Sequence, residues 1–335
     1  MKKVLVIGAS GAMGQYLVPI LADMGYDVTG VALDAAESSL PNVRYIQARL
    51  NNWDDYREIL SEGYDGVVDF MIYPTYRLAN MLPALVDSTG HYIYVSSCRI
   101  YDNREIPIHE DSPLLIDTSE DEILRNSDDY CIYKARGERM LNALPKRNWT
   151  AVRPSTTYSY LRYQLVTLEA ADTVGRARAG KLVAVPETAR HIPATLCWGG
   201  DAARLIAGLL FNPNAFGEAY TTSTSESHTW EEIADYYKDL CNLNAVWIDQ
   251  EDYQRIKGGD SYSLSVRWQL EYARLFARIY DNSKVLAATG LKQSEMIPLY
   301  DGLKREIERC PLDHQWAVNT RMDDYFASLK ARSIG

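Results

Sequence analysis

Residues 2–25 read KKVLVIGASGAMGQYLVPILADMG, and this stretch decides the fold. The apolar run that ends at Ile7 is typical of a buried strand, and the apolar spacing after Gly14 is typical of a helix. The G-x-x-G-x-x-G turn between them would let the backbone approach a pyrophosphate at the helix N-terminus; a tight turn without a ligand is the alternative interpretation. The candidates for holding such phosphates are Gly8, Gly11, Ala12, Met13 and Gly14.

Strand and helix patterns keep alternating after this unit, which predicts an α/β fold with a doubly wound parallel sheet of the Rossmann type. After about residue 154 the alternation loosens into longer helices and loops rich in Tyr, Ser and Thr. We therefore expect a nucleotide-binding domain at 1–154 and mainly a substrate-binding lobe at 155–335. The boundary is approximate, and an arrangement in which segments of the two parts alternate along the chain is also open. The second to sixth predicted strands are YDVTGVAL, NVRYIQA, DGVVDFMI, HYIYVSS and WTAVRP.

The composition is that of a globular protein, with 47% hydrophobic and 24% charged residues among 335. A net charge of −10, without a block of Lys and Arg, argues against nucleic acid as a partner. No apolar run approaches the ~18 residues that suggest a membrane-spanning helix. The five cysteines show neither C-x-x-C nor Cys/His ligand spacing, so we expect no metal and no disulfide framework. A cytoplasmic protein fits these features best.

The segment YCIYK places Tyr130 and Lys134 four residues apart. The helix formers that follow, ARGERML, predict that both side chains share one face of a helix. From this spacing alone, the pair is either catalytic or part of a solvated helix surface. Other motifs in the chain are needed to decide between the two.

Five motifs together resemble a known family. In chain order they are GASGAMG, VSSCRIY, YCIYKARGE, AVRP and YDNSKVLAATG. Their order and approximate spacing resemble those of the extended short-chain dehydrogenase/reductases, the NAD-dependent epimerase/dehydratase family. The likeness extends over nearly the whole chain and implies a Rossmann fold with NAD as cofactor.

The resemblance also implies roles for individual residues. Tyr130 would be the base that takes a hydroxyl proton while a hydride passes between substrate and cofactor. A tyrosine base near neutral pH needs a lowered pKa, which the adjacent ammonium of Lys134 and the positive nicotinamide would supply. Lys134 would also bind the nicotinamide ribose, and Ser97 would stabilise the reacting oxygen. The AVRP motif adds Arg153 and Pro154 as expected cofactor contacts.

Two departures from the family pattern concern the cofactor and the reaction. Ala32 stands where an acidic residue normally holds the adenosine ribose, and Asp34, two residues later, is the candidate substitute. Residues 28–43 contain no Arg or Lys for a 2′-phosphate, so NAD is favoured over NADP. Dehydratases of the family carry Asp-Glu where this chain has Cys98 and Arg99, which disfavours dehydration.

The sequence says less about the substrate. Ala194 and Glu271 stand where nucleotide-sugar relatives usually carry arginines. The expected partner is a sugar or nucleotide-sugar, and a homodimer is an option. Three functions stay open: an NAD-dependent epimerase, an oxidoreductase acting on a carbonyl compound without a nucleotide handle, and a non-catalytic binding or regulatory module. The candidate substrate contacts are Cys98, Arg99, Thr156 and His191.

Overall fold

The computed structural model describes residues 1–50, 53–259 and 263–334. The strands are β1 (Lys3–Ile7), β2 (Asp27–Ala32), β3 (Val43–Gln47), β4 (Tyr64–Asp69), β5 (Thr89–Val95), β6 (Trp149–Val152), β7 (Thr156–Tyr158), β8 (Leu182–Pro186), β9 (Pro193–Ala194), β10 (Leu196–Trp198), β11 (Glu218–Tyr220), β12 (His228–Thr229) and β13 (Asn244–Ile248). The helices are α1 (Gly14–Asp23), α2 (Trp53–Leu60), α3 (Thr75–Asp87), α4 (Leu115–Thr118), α5 (Glu122–Asn126), α6 (Tyr130–Ala143), α7 (Arg176–Arg178), α8 (Gly199–Leu209), α9 (Trp230–Cys241), α10 (Gln250–Gly258), α11 (Leu264–Gln269), α12 (Ser283–Thr289), α13 (Leu299–Arg309) and α14 (Thr320–Ile334).

Seven strands form one sheet in the order β3-β2-β1-β4-β5-β6-β11. Every neighbouring pair in it is parallel. The chain winds outward from β1 toward β3 and then crosses to β4 on the other side, so the strand order reverses between β1 and β4. The predicted doubly wound α/β fold is confirmed. Ligands of such sheets bind at the carboxyl ends of the strands, near this point of reversal.

The side chains of β1 alternate between two hydrophobic clusters, one on each face of the sheet. Val4 and Val6 pack in the cluster that contains apolar residues of α1 and α8. Leu5 and Ile7 pack in the cluster that contains residues of α2 and α3. Each of these four side chains is at most 1% exposed, and burying one aliphatic side chain contributes about 1.5–3 kcal/mol. This two-sided burial explains why the strand is an uninterrupted apolar run.

The chain divides into two compact units that interleave along the sequence. Unit 1 contains Met1–Thr157, Cys197–Ser225 and Tyr280–Met296, and therefore the whole seven-stranded sheet. Unit 2 contains Tyr158–Leu196, Glu226–Ile279 and Ile297–Gly335. Its longest strand pairing is the parallel one between β8 and β13. Within the described ranges, no helix is both long and apolar enough to span a bilayer.

Candidate active site

The glycine turn folds tightly against the first turn of α1. Gly8 has a φ of +84°, and the N–H groups of Gly8 and Ala9 donate to the carbonyl of Val31 at 3.0 and 2.9 Å. A Cβ added at Gly14 would lie 2.4 Å from the carbonyl oxygen of Gly8, so only glycine fits there. The N-cap residue is Met13, which lacks the side-chain oxygen that usually caps a helix.

A second helix approaches the same turn closely. A Cβ added at Gly199, the first residue of α8, would lie 2.3 Å from the carbonyl oxygen of Ala12. Next to this contact, the rings of Tyr16 and Trp198 pack edge to face at 5.1 Å. A Cβ added at Gly11 would lie 3.2 Å from the nearest backbone oxygen. The close backbone packing and the N-terminus of α1 without a capping oxygen fit the pyrophosphate of a dinucleotide.

The predicted ribose contact lies just beyond the end of β2. The strand ends at the buried Ala32, and Asp34 is exposed two residues later. The first basic residue after Asp34 is Arg44 on β3. Its guanidinium forms an ion pair with Glu62 and donates to the hydroxyl of Thr29 at 3.1 Å. Arg44 is therefore engaged by neighbouring side chains within unit 1.

Lys134 lies inside unit 1, where its ammonium bridges the end of β5 and the loop that follows β4. Helix α6 begins at Tyr130, and Asp129 caps it by accepting from the N–H of Cys131 at 3.2 Å. Lys134 follows one turn later and is 2% exposed. Its Nζ donates to the carbonyl of Val95 at the end of β5 at 2.7 Å, and to the carbonyl of Met71 after β4 at 3.2 Å. The lysine is thus fixed at the carboxyl edge of the sheet.

Burial changes the acidity of this ammonium. Desolvation lowers the pKa of Lys134 from 10.5 to about 8, although the carboxyl groups of Asp69 and Glu138 act in the opposite direction. Near neutral pH the side chain remains largely protonated. It can therefore serve both as a hydrogen-bond donor and as a local positive charge.

Tyr130 stands beside the lysine on the same helix. Its half-buried ring has its centre 5.8 Å from Nζ of Lys134 and 5.7 Å from the guanidinium carbon of Arg99. The ring also packs edge to face on Tyr133 at 5.4 Å. Tyr133 is only 7% exposed and belongs to a core cluster. Nζ of Lys134 is about as close to the Tyr133 ring, at 5.9 Å, so burial and not distance separates the two tyrosines: Tyr133 packs in the core, whereas Tyr130 is half-buried.

Ser97 lies just beyond the end of β5. Its side chain is nearly buried, and its Oγ accepts from the N–H of Arg99 at 3.1 Å, which caps the short 3-10 turn Cys98–Ile100. Val95, two residues earlier, provides the carbonyl that holds Lys134. The strand that positions Ser97 therefore also holds Lys134, through the carbonyl of Val95.

The candidate substrate residues lie in different surroundings. Cys98 is 2% exposed, and its thiol donates to the carbonyl of Arg153 at 3.0 Å. Arg99 forms an ion pair with Asp129 at 3.0 Å. Thr156 is half-buried in unit 1. His191 belongs to unit 2, with its side chain 76% exposed and an Nδ1–carboxylate distance of 3.4 Å to Glu231.

Arg153, expected at the cofactor, is engaged inside unit 1. Its guanidinium is held by both carboxylate oxygens of Glu138 on α6, with contacts of 2.6–3.2 Å. It also donates to the hydroxyl of Tyr101 at 2.8 Å and to the carbonyl of Glu110 at 2.6 Å. These contacts tie the helix of Tyr130 and Lys134 to the end of β6. Pro154 follows, and its carbonyl accepts from the N–H of Cys98 at 3.0 Å.

Sequence reasoning missed three residues around Lys134. The carbonyls of Met71 and Val95 leave no signal in the residue type, because any residue carries a backbone acceptor. Asp69 does leave one, since it is a carboxylate that ends the apolar run GVVD of β4. It is 1% exposed, and burial raises its pKa. Among the described residues, no cluster of His, Cys, Asp and Glu could hold a metal ion.

The parallel sheet with a glycine turn after β1 defines an α/β protein of the Rossmann type. The model of the NAD dependent epimerase/dehydratase family matches residues 4–204. The chain belongs to this family. The resemblance to the extended short-chain dehydrogenase/reductases is thereby confirmed. No curated protein sequence matches the chain.

Solved structures share the fold at low sequence identity. An epimerase from Methanothermobacter thermautotrophicus is 14% identical, with 98% of this chain and 94% of that chain covered and a TM-score of 0.68. The UDP-glucuronic acid 4-epimerase of Bacillus cereus, solved with UDP-glucuronic acid and NAD, is 16% identical, with 91% and 98% covered and a TM-score of 0.67. The UDP-glucose 4-epimerase of Thermus thermophilus, solved with NAD, is also 16% identical, with 91% and 98% covered and a TM-score of 0.65.

Proposed function

We propose that the protein is an NAD-dependent epimerase of a sugar or nucleotide-sugar. The observation that carries this proposal is the buried Lys134. Two backbone carbonyls, one at the end of β5 and one in the loop after β4, hold its Nζ 5.8 Å from the Tyr130 ring centre. A solvated helix surface would leave such a lysine exposed. A buried ammonium beside a phenol at the carboxyl edge of a parallel sheet is what proton transfer by a tyrosine requires.

The proposed mechanism divides three tasks among three side chains. Tyr130 accepts the proton of the substrate hydroxyl at its phenolic oxygen and later returns it. Lys134 stabilises the phenolate electrostatically, and it would donate a hydrogen bond to the nicotinamide ribose of a bound cofactor. Ser97 donates a hydrogen bond to the reacting oxygen as negative charge develops on it. When bound, NAD would supply a hydride acceptor and donor.

Epimerisation needs no further acid or base, because a keto intermediate can accept hydride on its other face. Dehydration needs an additional acid–base pair, and the two positions after Ser97 provide no carboxylate. The Cys98 thiol is buried against a backbone carbonyl, and the Arg99 guanidinium is paired with Asp129. These contacts support an epimerase or a net oxidoreductase over a dehydratase.

NAD is the proposed cofactor, bound by the glycine turn, Lys134 and, at the adenosine ribose, Asp34. The exposed position of Asp34 just after β2 supports this role. The engagement of Arg44 with Glu62 and Thr29 disfavours the extra phosphate of NADP. We further propose a cytoplasmic protein with a small-molecule substrate and no nucleic-acid partner, in line with its net charge of −10.

A second candidate is an oxidoreductase acting on a sugar or other carbonyl compound without a nucleotide diphosphate. It is favoured by ion pairs that engage two arginines of unit 2, because arginine is the residue type that most often binds phosphate groups through two hydrogen bonds. Arg267 pairs with Glu271 at 2.8 Å, and Arg190 pairs with Glu231 at 2.6 Å. An arginine already paired with a carboxylate is less available to a diphosphate.

The test is to incubate the purified protein and NAD with UDP-glucose and, separately, with UDP-glucuronic acid. Mass spectrometry and NMR identify the products, while absorbance follows reduced cofactor. A 4-epimer with unchanged NAD is the expected result. Stoichiometric NADH would support the oxidoreductase, and a 4-keto-6-deoxy sugar would contradict the exclusion of dehydration. Protein that binds neither NAD(H) nor NADP(H) would point to a non-catalytic family member.

A further inference from the structure

A buried acid next to the proposed catalytic lysine has no part in the mechanism above. We propose that Asp69 is a positioning residue that fixes Lys134 through the backbone of Met71. The proposal rests on the proposed function, in which Lys134 acts on the nicotinamide ribose and on the phenol of Tyr130.

Two hydrogen bonds connect Asp69 to Lys134 through Met71, and together they are called the relay. Oδ1 of Asp69 accepts from the N–H of Met71 at 2.9 Å, and the carbonyl of the same Met71 accepts from Nζ of Lys134 at 3.2 Å. Met71 thus donates to the carboxylate through its N–H and accepts from the ammonium through its carbonyl. Met71 lies in the loop 70–74 between β4 and α3, so no helix or strand ladder fixes its orientation. The carboxylate of Asp69 supplies that restraint.

Asp69 is itself held by a network of tyrosines. Its Oδ2 accepts from the hydroxyls of Tyr73 at 2.8 Å and Tyr92 at 3.1 Å, and the Tyr73 hydroxyl also contacts the hydroxyl of Tyr56. All three tyrosine side chains are at most 2% exposed. Burying a carboxyl group is costly unless donors satisfy it, and here three donors do so. The network keeps the acid in one orientation at the end of β4, where the relay needs it.

The relay predicts how two replacements of Asp69 differ. Asp69→Ala removes the acceptor for the Met71 N–H, so the loop loses its restraint and Lys134 loses one of its two carbonyl anchors. Asp69→Asn keeps a carbonyl oxygen that accepts from the Met71 N–H and removes the charge. Its NH2 group takes the place of Oδ2, so the hydroxyls of Tyr73 and Tyr92 would accept there instead of donating. A role in positioning therefore tolerates Asn, whereas a role that depends on the charge does not.

A double-mutant cycle on cofactor affinity tests the relay. NADH fluorescence titrations give the dissociation constants of wild type, Asp69→Ala, Asp69→Asn, Lys134→Ala and the Asp69→Ala/Lys134→Ala double variant. We expect Asp69→Ala to weaken binding about tenfold, the scale of one charge-assisted hydrogen bond, and Asp69→Asn to stay within about threefold of wild type. In the Lys134→Ala background, Asp69→Ala should have almost no further effect.

The matched control is Asp65→Ala, which removes an acid near the opposite end of the same strand. Asp65 accepts from the N–H of Lys3 at 2.7 Å, and its replacement should leave the affinity for NADH unchanged. Equal weakening by Asp69→Ala with and without Lys134 would overturn the relay. So would an Asp69→Asn variant that binds as weakly as Asp69→Ala.

A crystal structure of Asp69→Ala without cofactor gives a readout that does not depend on the proposed function. The relay predicts that the Met71 carbonyl turns away and that Nζ of Lys134 leaves the 3.2 Å contact seen in the native chain. An unchanged Lys134 position would overturn the proposal even if the protein binds NADH. Conversely, a wild type that fails to bind any nicotinamide cofactor refutes the proposed function, while the crystal structure still decides the relay.

Discussion

The buried His91 on β5 should make the protein lose stability in mild acid. Its side chain is fully buried, its Nδ1 accepts from the N–H of Phe211 at 2.8 Å, and its Nε2 lies 2.9 Å from Oγ1 of Thr150. The Thr150 hydroxyl donates to the carbonyl of Ala215, so its oxygen accepts the Nε2 proton. The imidazole is therefore neutral, and a proton on Nδ1 would face another N–H donor.

The size of the effect follows from the change in proton affinity. Desolvation, assisted by the positive charge of Lys2, lowers the pKa of His91 from 6.5 to about 3 in the folded chain. Below pH 6.5, His91 is protonated in the unfolded chain but stays neutral in the folded chain. The free energy of unfolding therefore decreases as the pH falls toward 3. Each pH unit in this window costs about 1.4 kcal/mol. Between pH 7.5 and 4.5, the His91 contribution is about 3 kcal/mol of unfolding free energy.

The assay is urea denaturation followed by far-UV circular dichroism at pH 7.5 and 4.5 for wild type and His91→Asn. The asparagine carbonyl can still accept from Phe211 but does not titrate. The variant should be less stable at pH 7.5, and its deficit should shrink by about 3 kcal/mol at pH 4.5. His191→Asn is the control, because that side chain is 76% exposed. A deficit for His91→Asn that is the same at both pH values would refute the reasoning.

Two further predictions concern the proposed site. Tyr130→Phe should lower turnover by about 10²–10⁴-fold with NADH binding nearly retained, whereas Tyr133→Phe, which alters a core side chain, should leave turnover close to wild type. The reverse pattern would show that the motif has been read in the wrong register. Fluorescence titration should also show tighter binding of NADH than of NADPH, because residues 28–43 lack a basic side chain and Arg44 is already paired. Equal or reversed affinities would contradict that expectation.

The sequence by itself determined the sheet and the turn that begins it, because these depend on local patterns. The apolar run of β1 and the glycines after it encode strand, turn and helix within one short segment. The regular alternation of strands and helices then leaves a doubly wound parallel sheet as the natural arrangement. The four-residue spacing of Tyr130 and Lys134 likewise placed them on one helix face, since a helix repeats every 3.6 residues.

Only the tertiary structure decided how Lys134 is held. Its anchors are backbone carbonyls 39 and 63 residues away along the chain, and no residue type encodes a backbone acceptor. The partnership of Arg153 with Glu138 and the burial of Asp69 depend equally on which strands lie side by side. Unit 1 also contains residues 197–225 and 280–296, which pack with the N-terminal segment although they lie far from it in sequence. Such contacts join distant segments, whereas periodicity and spacing report only on near neighbours in the chain.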